Sequence, residues 1–488
     1  MNSTTTSFMS TGESSSSRHH RTSSVDKIVL VHFGALLVFT SWAFGGQAPW
    51  ARHIIAWGGT AGLLLFLWAC ASRHRSTDEK SHPALRFLWP LWLYDLVVIV
   101  SYFNPSFREA VIGGQPSLVL ANPNPWLPSS ARPLLAVREL WQFNGLVLSS
   151  FNLLLVLHRR SQVRLVLFLL AGNAVVLAIL GTFQKLVGAS GLWFGLVTSP
   201  NKHFFSTFIY HNHWGTFTLL NTAVCVALLF HYHRRGGHRD LWHSPVLLGA
   251  VATLLLALSV PLSTSRSCTV MVGLLLAGAL GHFLLRVIRR RRELQQSATL
   301  PVAAIILCAL LAVAAIGYLG RGVIAQRAQL TSEQLTRLSH EGTLTSRLIL
   351  YRDTWRMASE KPWFGWGLES YAHVFPVFNT QRTAELQWGT VFYAEAHNDW
   401  LQSLAEVGFV GTTLLALLVL LPLATVRWRR VESVVPRYLL AGCALLLLYA
   451  WLEFPFANPA VMLTFCATFY CAIRYAGLET RPPPEKPR

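Results

Sequence analysis

The stretch AEAHNDWLQSLAEVGFVG, residues 394–411, runs without a break into TTLLALLVLLPLA, residues 412–424. The second half carries no charge and is apolar enough to lie in hydrocarbon. The first half sets Glu395, His397, Asn398, Asp399, Gln402 and Glu406 in close succession. A polar cluster at the mouth of a lipid-soluble run describes an outer segment feeding a membrane-spanning helix, and the rest of the chain repeats that alternation.

The chain has 488 residues, 52% hydrophobic and 13% charged, with 18 tryptophans. Its mean hydropathy is +0.41. The apolar residues come in long blocks, and such blocks satisfy their backbone in lipid as helices. The class expected is all-α, a polytopic integral membrane protein. A formal charge of +19 would suggest nucleic acid in a soluble protein. Here the basic residues cluster in short gaps between apolar blocks, so they read as orientation signals and no nucleic-acid partner is expected. The seven cysteines lie in or beside apolar runs, without zinc spacing or a disulfide framework.

Twelve spans are expected: 28–45, 53–71, 87–103, 143–158, 163–184, 214–231, 244–262, 268–288, 299–320, 408–426, 437–453 and 458–475. The fourth is short and carries Asn144 and Asn152. Well over half of the 41 Lys and Arg fall in alternate gaps, among them HRRSQVR, HYHRRGGHRD and RVIRRRRE. This places the N- and C-termini in the cytoplasm. Residues 1–26, rich in Ser and Thr, read as a disordered cytoplasmic tail, 27–475 as the transmembrane domain, and 476–488 as a second cytoplasmic tail. No signal-peptide cleavage site follows the first run, so it is taken as an uncleaved span. Three outward segments are large: 104–142, 185–213 and 321–407. The last, between spans nine and ten, is the large periplasmic loop. Within it TSRLILYRDTWRMASEKPWFGWG predicts a helix with Leu348, Tyr351, Trp355 and Met357 on a partly apolar face. That helix should stop near Pro362, with Gly365 and Gly367 as turn formers.

The Asp399–Gln402 spacing is that of a capping box, so a helix should begin there, with Asp399, Gln402 and Glu406 on one face. His397 then precedes the first turn, where unpaired backbone N–H groups suit an anion such as phosphate. The alternative is that His397 and Asn398 only cap a helix at the membrane interface. Arg266 lies in a short outward turn within PLSTSRSCTV. A charge at membrane depth is kept for pairing with an anion, or it snorkels to the interface. Arg347, Arg352 and Arg356 share the outer segment, where a solvated helix face is the default reading. In STFIYHNHWGTF, His211, Asn212 and His213 enter span six; no second pair has matching spacing, so no metal is expected. Asp95 and Lys185 are isolated charges with no role assigned.

At these residues the sequence resembles a family. HNDWLQSLAEVGFVG is similar to the run that closes the large outer loop in the O-antigen ligase and polymerase superfamily. SRLILYRDTWRMASEKPWFGWGLESY resembles that loop's second motif, STSRS its S-x-S-R turn, and TFIYHNHWGTF its T-F-x-N-x-N-H-F-A-G segment. In the last, Tyr210 and His211 precede Asn212, a departure from the pattern. The resemblance implies a membrane-embedded glycosyltransferase of the C type in the bacterial inner membrane, with a periplasmic active site. Its donor would be a glycan on undecaprenyl diphosphate, and its acceptor another glycan, a lipid A–core sugar or a protein hydroxyl. Neither cofactor nor metal is implied. Arg266 and Arg347 match the family's functional arginines and His397 its functional histidine. Asn398, Asn212, His213, Arg352 and Glu406 are expected to contact substrate. The chemistry is coherent. Guanidinium groups neutralise a departing diphosphate, and an imidazole takes or orients the acceptor proton. The competing classes are a transporter or flippase, which would need access from both sides, and a non-catalytic scaffold of glycan export.

Overall fold

The computed structural model describes residues 24–74, 83–234, 244–319, 343–381 and 392–480. The chain opens with helices α1 (Ser24–Trp42), α2 (Pro49–His74) and α3 (Trp89–Tyr102). A hairpin follows, β1 (Phe107–Ile112) against β2 (Gln115–Leu120). Next come α4 (Pro133–Val156), α5 (Arg160–Leu186), α6 (His211–Arg234), α7 (Pro245–Leu262), α8 (Arg266–Glu293) and α9 (Thr299–Leu319). Two outer-segment helices, α10 (Thr343–Glu360) and α11 (Tyr371–Phe378), precede α12 (Asp399–Thr425), α13 (Val435–Tyr449) and α14 (Pro459–Glu479).

The protein is a mostly helical, polytopic integral membrane protein. Each predicted span falls on a helix, from α1 to α9 and α12 to α14. Among the described residues, α1, α2, α5, α6, α7, α8, α12 and α14 are long and apolar enough to cross a membrane. α3 and α13 are apolar but shorter, with 14 and 15 residues.

Four local expectations need correction. The fold is not purely α. FREAVI and QPSLVL pair antiparallel from Phe107↔Leu120 to Ile112↔Gln115. Gly113 and Gly114, at φ +59° and +78°, supply the two left-handed residues that a tight hairpin turn demands. The fourth span extends further: α4 starts at Pro133, and its first turns carry Glu139, which pairs with Arg52 of α2 at 3.1 Å. Its later residues, Gly145 to Val156, are buried on all sides. There Asn152 Nδ2 donates to the Gly62 carbonyl, while Asn144 Nδ2, just before, donates to Asp95 Oδ1 at 2.8 Å. The third correction concerns α10, whose buried side chains are Leu350, Asp353, Thr354, Met357 and Ala358, while Leu348 and Trp355 face outward. Finally, α14 continues to Glu479, into the predicted C-terminal tail; the tail at 1–26 lies outside the described residues except for the start of α1.

The bundle has two polar ends. At one, His158 after α4 meets Asp26 of α1, Arg474 of α14 donates to the Leu157 carbonyl, and Glu479 accepts from the amides of Glu432 and Ser433 before α13. At the other, the starts of α2, α4, α6, α8, α12 and α14 gather with the end of α13. Helices α2 and α4 touch backbone to backbone: a Cβ added at Gly59 would lie 2.4 Å from Gly145 Cα. Small residues permit this approach where lipid supplies no hydrophobic drive between helices.

The outer segment is clasped onto α12. The amides of Trp366 and Gly367 donate to the carbonyls of Ala405 and Glu406 at 2.9 and 2.7 Å. In return the amides of Phe409 and Val410 donate to the carbonyls of Pro362 and Trp363 at 2.8 and 3.1 Å. These exchanges require a break in the α12 backbone, and Gly408 provides it at φ +64°, ψ −170°. A Cβ there would lie 2.3 Å from the Trp363 oxygen. Gly408→Ala is therefore expected to destabilise the solubilised protein by at least about 1 kcal/mol, read as a lowered Tm.

Candidate functional site

The turn between α13 and α14 brings Glu453 under the outer segment. Its side chain is 5% exposed, a position at which a carboxylate needs partners. Arg347, near the start of α10, donates through Nη2 to Oε1 at 2.9 Å and through Nη1 to the Leu452 carbonyl at 3.3 Å. His397 Nδ1 lies 3.1 Å from Oε2. The Tyr210 hydroxyl donates to the same oxygen at 3.3 Å. Burial alone would raise the Glu453 carboxyl, but the His397 hydrogen bond and the Arg347 charge outweigh it and hold it below the usual carboxylate range.

His397 is held from two further sides. The Tyr351 hydroxyl, one turn along α10 from Arg347, donates to the His397 carbonyl at 3.0 Å. The Phe454 ring meets the imidazole edge-on at 4.9 Å. His397 itself sits at φ +52°, a left-handed conformation costly for a residue with a side chain. Asn398 is the N-cap of α12, its Oδ1 accepting from the Leu401 amide at 3.0 Å. The cap is thus one residue earlier than the capping-box spacing predicts. Asp399 instead accepts from the Phe456 amide, and Gln402 accepts from the Ala396 amide. Together these contacts fix the imidazole against the α13–α14 turn.

A hydrogen-bond chain runs on to α8. Asn212 Nδ2 donates to the Tyr210 hydroxyl at 2.8 Å, and the Ser265 hydroxyl donates to Asn212 Oδ1 at 2.6 Å. Thr264, at φ +72°, turns the chain so that Ser265 caps the cluster and exposed Arg266 opens α8. His213 is buried, its Nε2 lying 3.2 Å from the Phe454 carbonyl. The ring of Phe454 also stacks on Tyr210 at 5.4 Å.

Of the residues singled out by sequence, His397, Arg347, Asn212 and His213 come together around the Glu453–Phe454 turn, and Arg266 follows Ser265 at its edge. Two others make their contacts away from that turn. Arg352 pairs with Asp353 at 3.2 Å and donates to the Thr380 hydroxyl. Glu406 is buried, and its two oxygens accept from the amides of Glu369 and Tyr371 at 3.2 and 3.0 Å, which fastens the outer segment. Sequence reasoning passed over Glu453 and Tyr210. Their signal was an acid at the outward end of a span, in YAWLEFPFANPA, and an aromatic hydroxyl beside Asn212. Among the described residues no three His, Cys, Asp or Glu side chains gather within reach of one ion.

The depressed Glu453 carboxyl has a consequence for pH. A group whose folded value lies below its ordinary 4.5 contributes stability that is present above that value and lost as pH falls through the depressed one. Burial pushes Glu395 the other way, to about 7, so the wild-type curve mixes the two. The difference between wild type and Glu453→Gln isolates the first. The wild-type advantage in thermal stability is expected to hold from neutral pH down to about 4.5 and to shrink below it.

A polytopic helical bundle with an arginine–glutamate–histidine cluster at one end defines the class, a membrane protein with a polar site at its helix ends. Residues 251–416 match the family model described as O-antigen ligase. The match covers about a third of the chain, from α7 into α12, and supports the resemblance to the ligase and polymerase superfamily there. The match includes Arg266, Arg347, Arg352, His397, Asn398 and Glu406 and supports an enzymatic role in glycan transfer. Asn212, His213 and Glu453 lie outside it. No curated protein matches the chain.

Proposed function

We propose that the protein transfers a glycan from undecaprenyl diphosphate to a hydroxyl acceptor at the periplasmic face of the bacterial inner membrane. In this reading twelve spans cross the membrane, both termini are cytoplasmic and no metal takes part. The observation that carries it is the Glu453 contact with both Arg347 and His397.

An ionised carboxylate only accepts hydrogen bonds. Glu453, held ionised, therefore requires the proton of neutral His397 on Nδ1 and leaves the Nε2 lone pair for the acceptor. The acceptor oxygen attacks the anomeric carbon as its proton passes to Nε2. The sugar–oxygen bond to the diphosphate breaks, and polyprenyl diphosphate leaves with the electron pair. Arg347 spends one Nη1 and one Nη2 donor on Leu452 and Glu453. Its remaining donors, with the Arg266 guanidinium at the rim, offer charge-assisted hydrogen bonds to the leaving group. A site at helix ends suits a substrate whose tail lies in hydrocarbon and whose diphosphate lies at headgroup level.

Reconstitution of the full-length protein in vesicles with an undecaprenyl-diphosphate oligosaccharide and candidate acceptors, in chelator, tests this. Sugar transfer is the expected result. Movement of the intact donor across the bilayer without transfer would favour the transporter class instead.

A further inference from the structure

A second face of α12 opens on a cavity of about 430 Å³ between α4, α12, α13 and α14. Its outer mouth is formed by Arg52, Glu139, Glu369, Glu395, Asp399 and Glu406. Arg52 pairs with Glu139 at 3.1 Å and lies 3.7 Å from Glu369. Gln402 donates to Glu395 at 2.7 Å. The mouth thus holds five carboxyl groups and one guanidinium, which pairs with Glu139 and approaches Glu369. Deeper, the walls become apolar: Phe143, Val147, Leu415, Leu418, Phe465 and Phe469. Asp399 and Leu418 lie roughly 28 Å apart along the helix at 1.5 Å per residue, so the cavity is polar at the membrane surface and greasy along most of its depth.

We infer that this cavity takes the acceptor, and that the acceptor is a lipid with an uncharged, hydroxyl-bearing head and an acyl or isoprenoid tail. The inference rests on the transfer reading above and names the substrate of its second half. A tail matches the apolar walls. A diphosphate does not match the mouth: acids crowd it, burial already disfavours negative charge at Glu395, and its one guanidinium pairs with Glu139 and Glu369. Hydroxyls do match, since carboxyl oxygens accept from them. Burial pushes Glu395 up to about 7, so near neutral pH it serves a hydroxyl as donor or as acceptor. Asp399 accepts from the Phe456 amide while His397 packs on the Phe454 ring, so the mouth and the base flank the same turn between α13 and α14. Charge then sorts the two lipids: the anionic donor to Arg347 and Arg266, the neutral acceptor to the carboxyl-lined mouth. A heavily phosphorylated acceptor head is disfavoured by the same repulsion.

Two synthetic lipids test this, each a hexadecyl chain with a diazirine midway, one headed by glucose and the other by phosphate. The full-length protein in neutral detergent is photolabelled with each, and the label is mapped by mass spectrometry. The glucoside is expected to label residues 412–420 and 462–470 roughly ten-fold or more above the phosphate probe. Ala416→Trp, which fills the cavity, should lose that labelling; the wild-type ratio decides alone if the variant does not fold. Equal or stronger labelling by the phosphate probe assigns the cavity to an anionic lipid and overturns the inference. Labelling of neither stretch by either probe overturns it as well. Photolabelling needs no turnover, so an inactive protein that still shows the ratio separates failure of the transfer reading from failure of this one.

Discussion

His397→Ala is expected to lower glycan transfer by about 10²–10⁴-fold while leaving the protein folded in the membrane, the range a positioned general base supplies. The imidazole makes its side-chain contacts with Glu453 and Phe454, and the backbone around it is held independently. The Tyr351 hydroxyl binds the His397 carbonyl, and the Asn398 side chain caps α12. Alanine keeps both and removes only the ring. Transfer per folded molecule, measured in vesicles, is the readout. Near-normal transfer would show that the ring is a packing residue at the loop–helix junction.

Glu453→Gln is expected to lower transfer by about 10²–10⁴-fold through a different route, because the amide no longer dictates which imidazole nitrogen carries the proton. Glutamine can still accept from Arg347 but presents an NH₂ group as readily as an oxygen to His397 Nδ1. An Nδ1 lone pair facing that NH₂ puts the proton on Nε2, the wrong nitrogen for a base. The loss should therefore fall on kcat, with KM for the donor changed little. A purely structural role for Glu453 would lower yield or Tm without lowering kcat per folded molecule. Glu453→Ala should do both, since it leaves Arg347 and His397 without their carboxylate; with the Arg347 side chain 45% exposed, solvent screening keeps the cost below the ~3–5 kcal/mol of a fully buried pair.

The sequence made the bundle and one wall of the site legible, each for a physical reason. Long uncharged runs have one backbone solution in lipid, so every predicted span falls on a helix. The Lys361–Gly367 turn was readable because Pro362 ends a helix and Gly365 and Gly367 take φ +65° and +101°. His397 stood out as a polar group at the mouth of an apolar run, and Arg347 through the resemblance of its helix to the outer loop's second motif. Glu453 did not, because its meaning lies in side chains distant in sequence, and a lone acid at a span's end reads equally well as an interface residue. The FREAVIGGQPSLVL hairpin carried its signal in the paired glycines, yet inside an outward gap of a helical protein the turn reads as mere loop. Of the expected apolar face of α10, Met357 is buried and Tyr351 half-buried, while Leu348 and Trp355 face outward, because packing within the outer segment selects Leu350, Asp353, Thr354, Met357 and Ala358.

The most direct test of the Arg347–Glu453–His397 account is the transfer rate of the double variant His397→Ala/Glu453→Gln beside its two single variants in the vesicle assay. Groups that act as one unit are strongly non-additive. The expected result is a double variant no slower than His397→Ala alone, since Glu453 acts on the reaction by orienting the imidazole. Losses that multiply would mean that the two side chains act independently, and the carboxylate-oriented base would be contradicted.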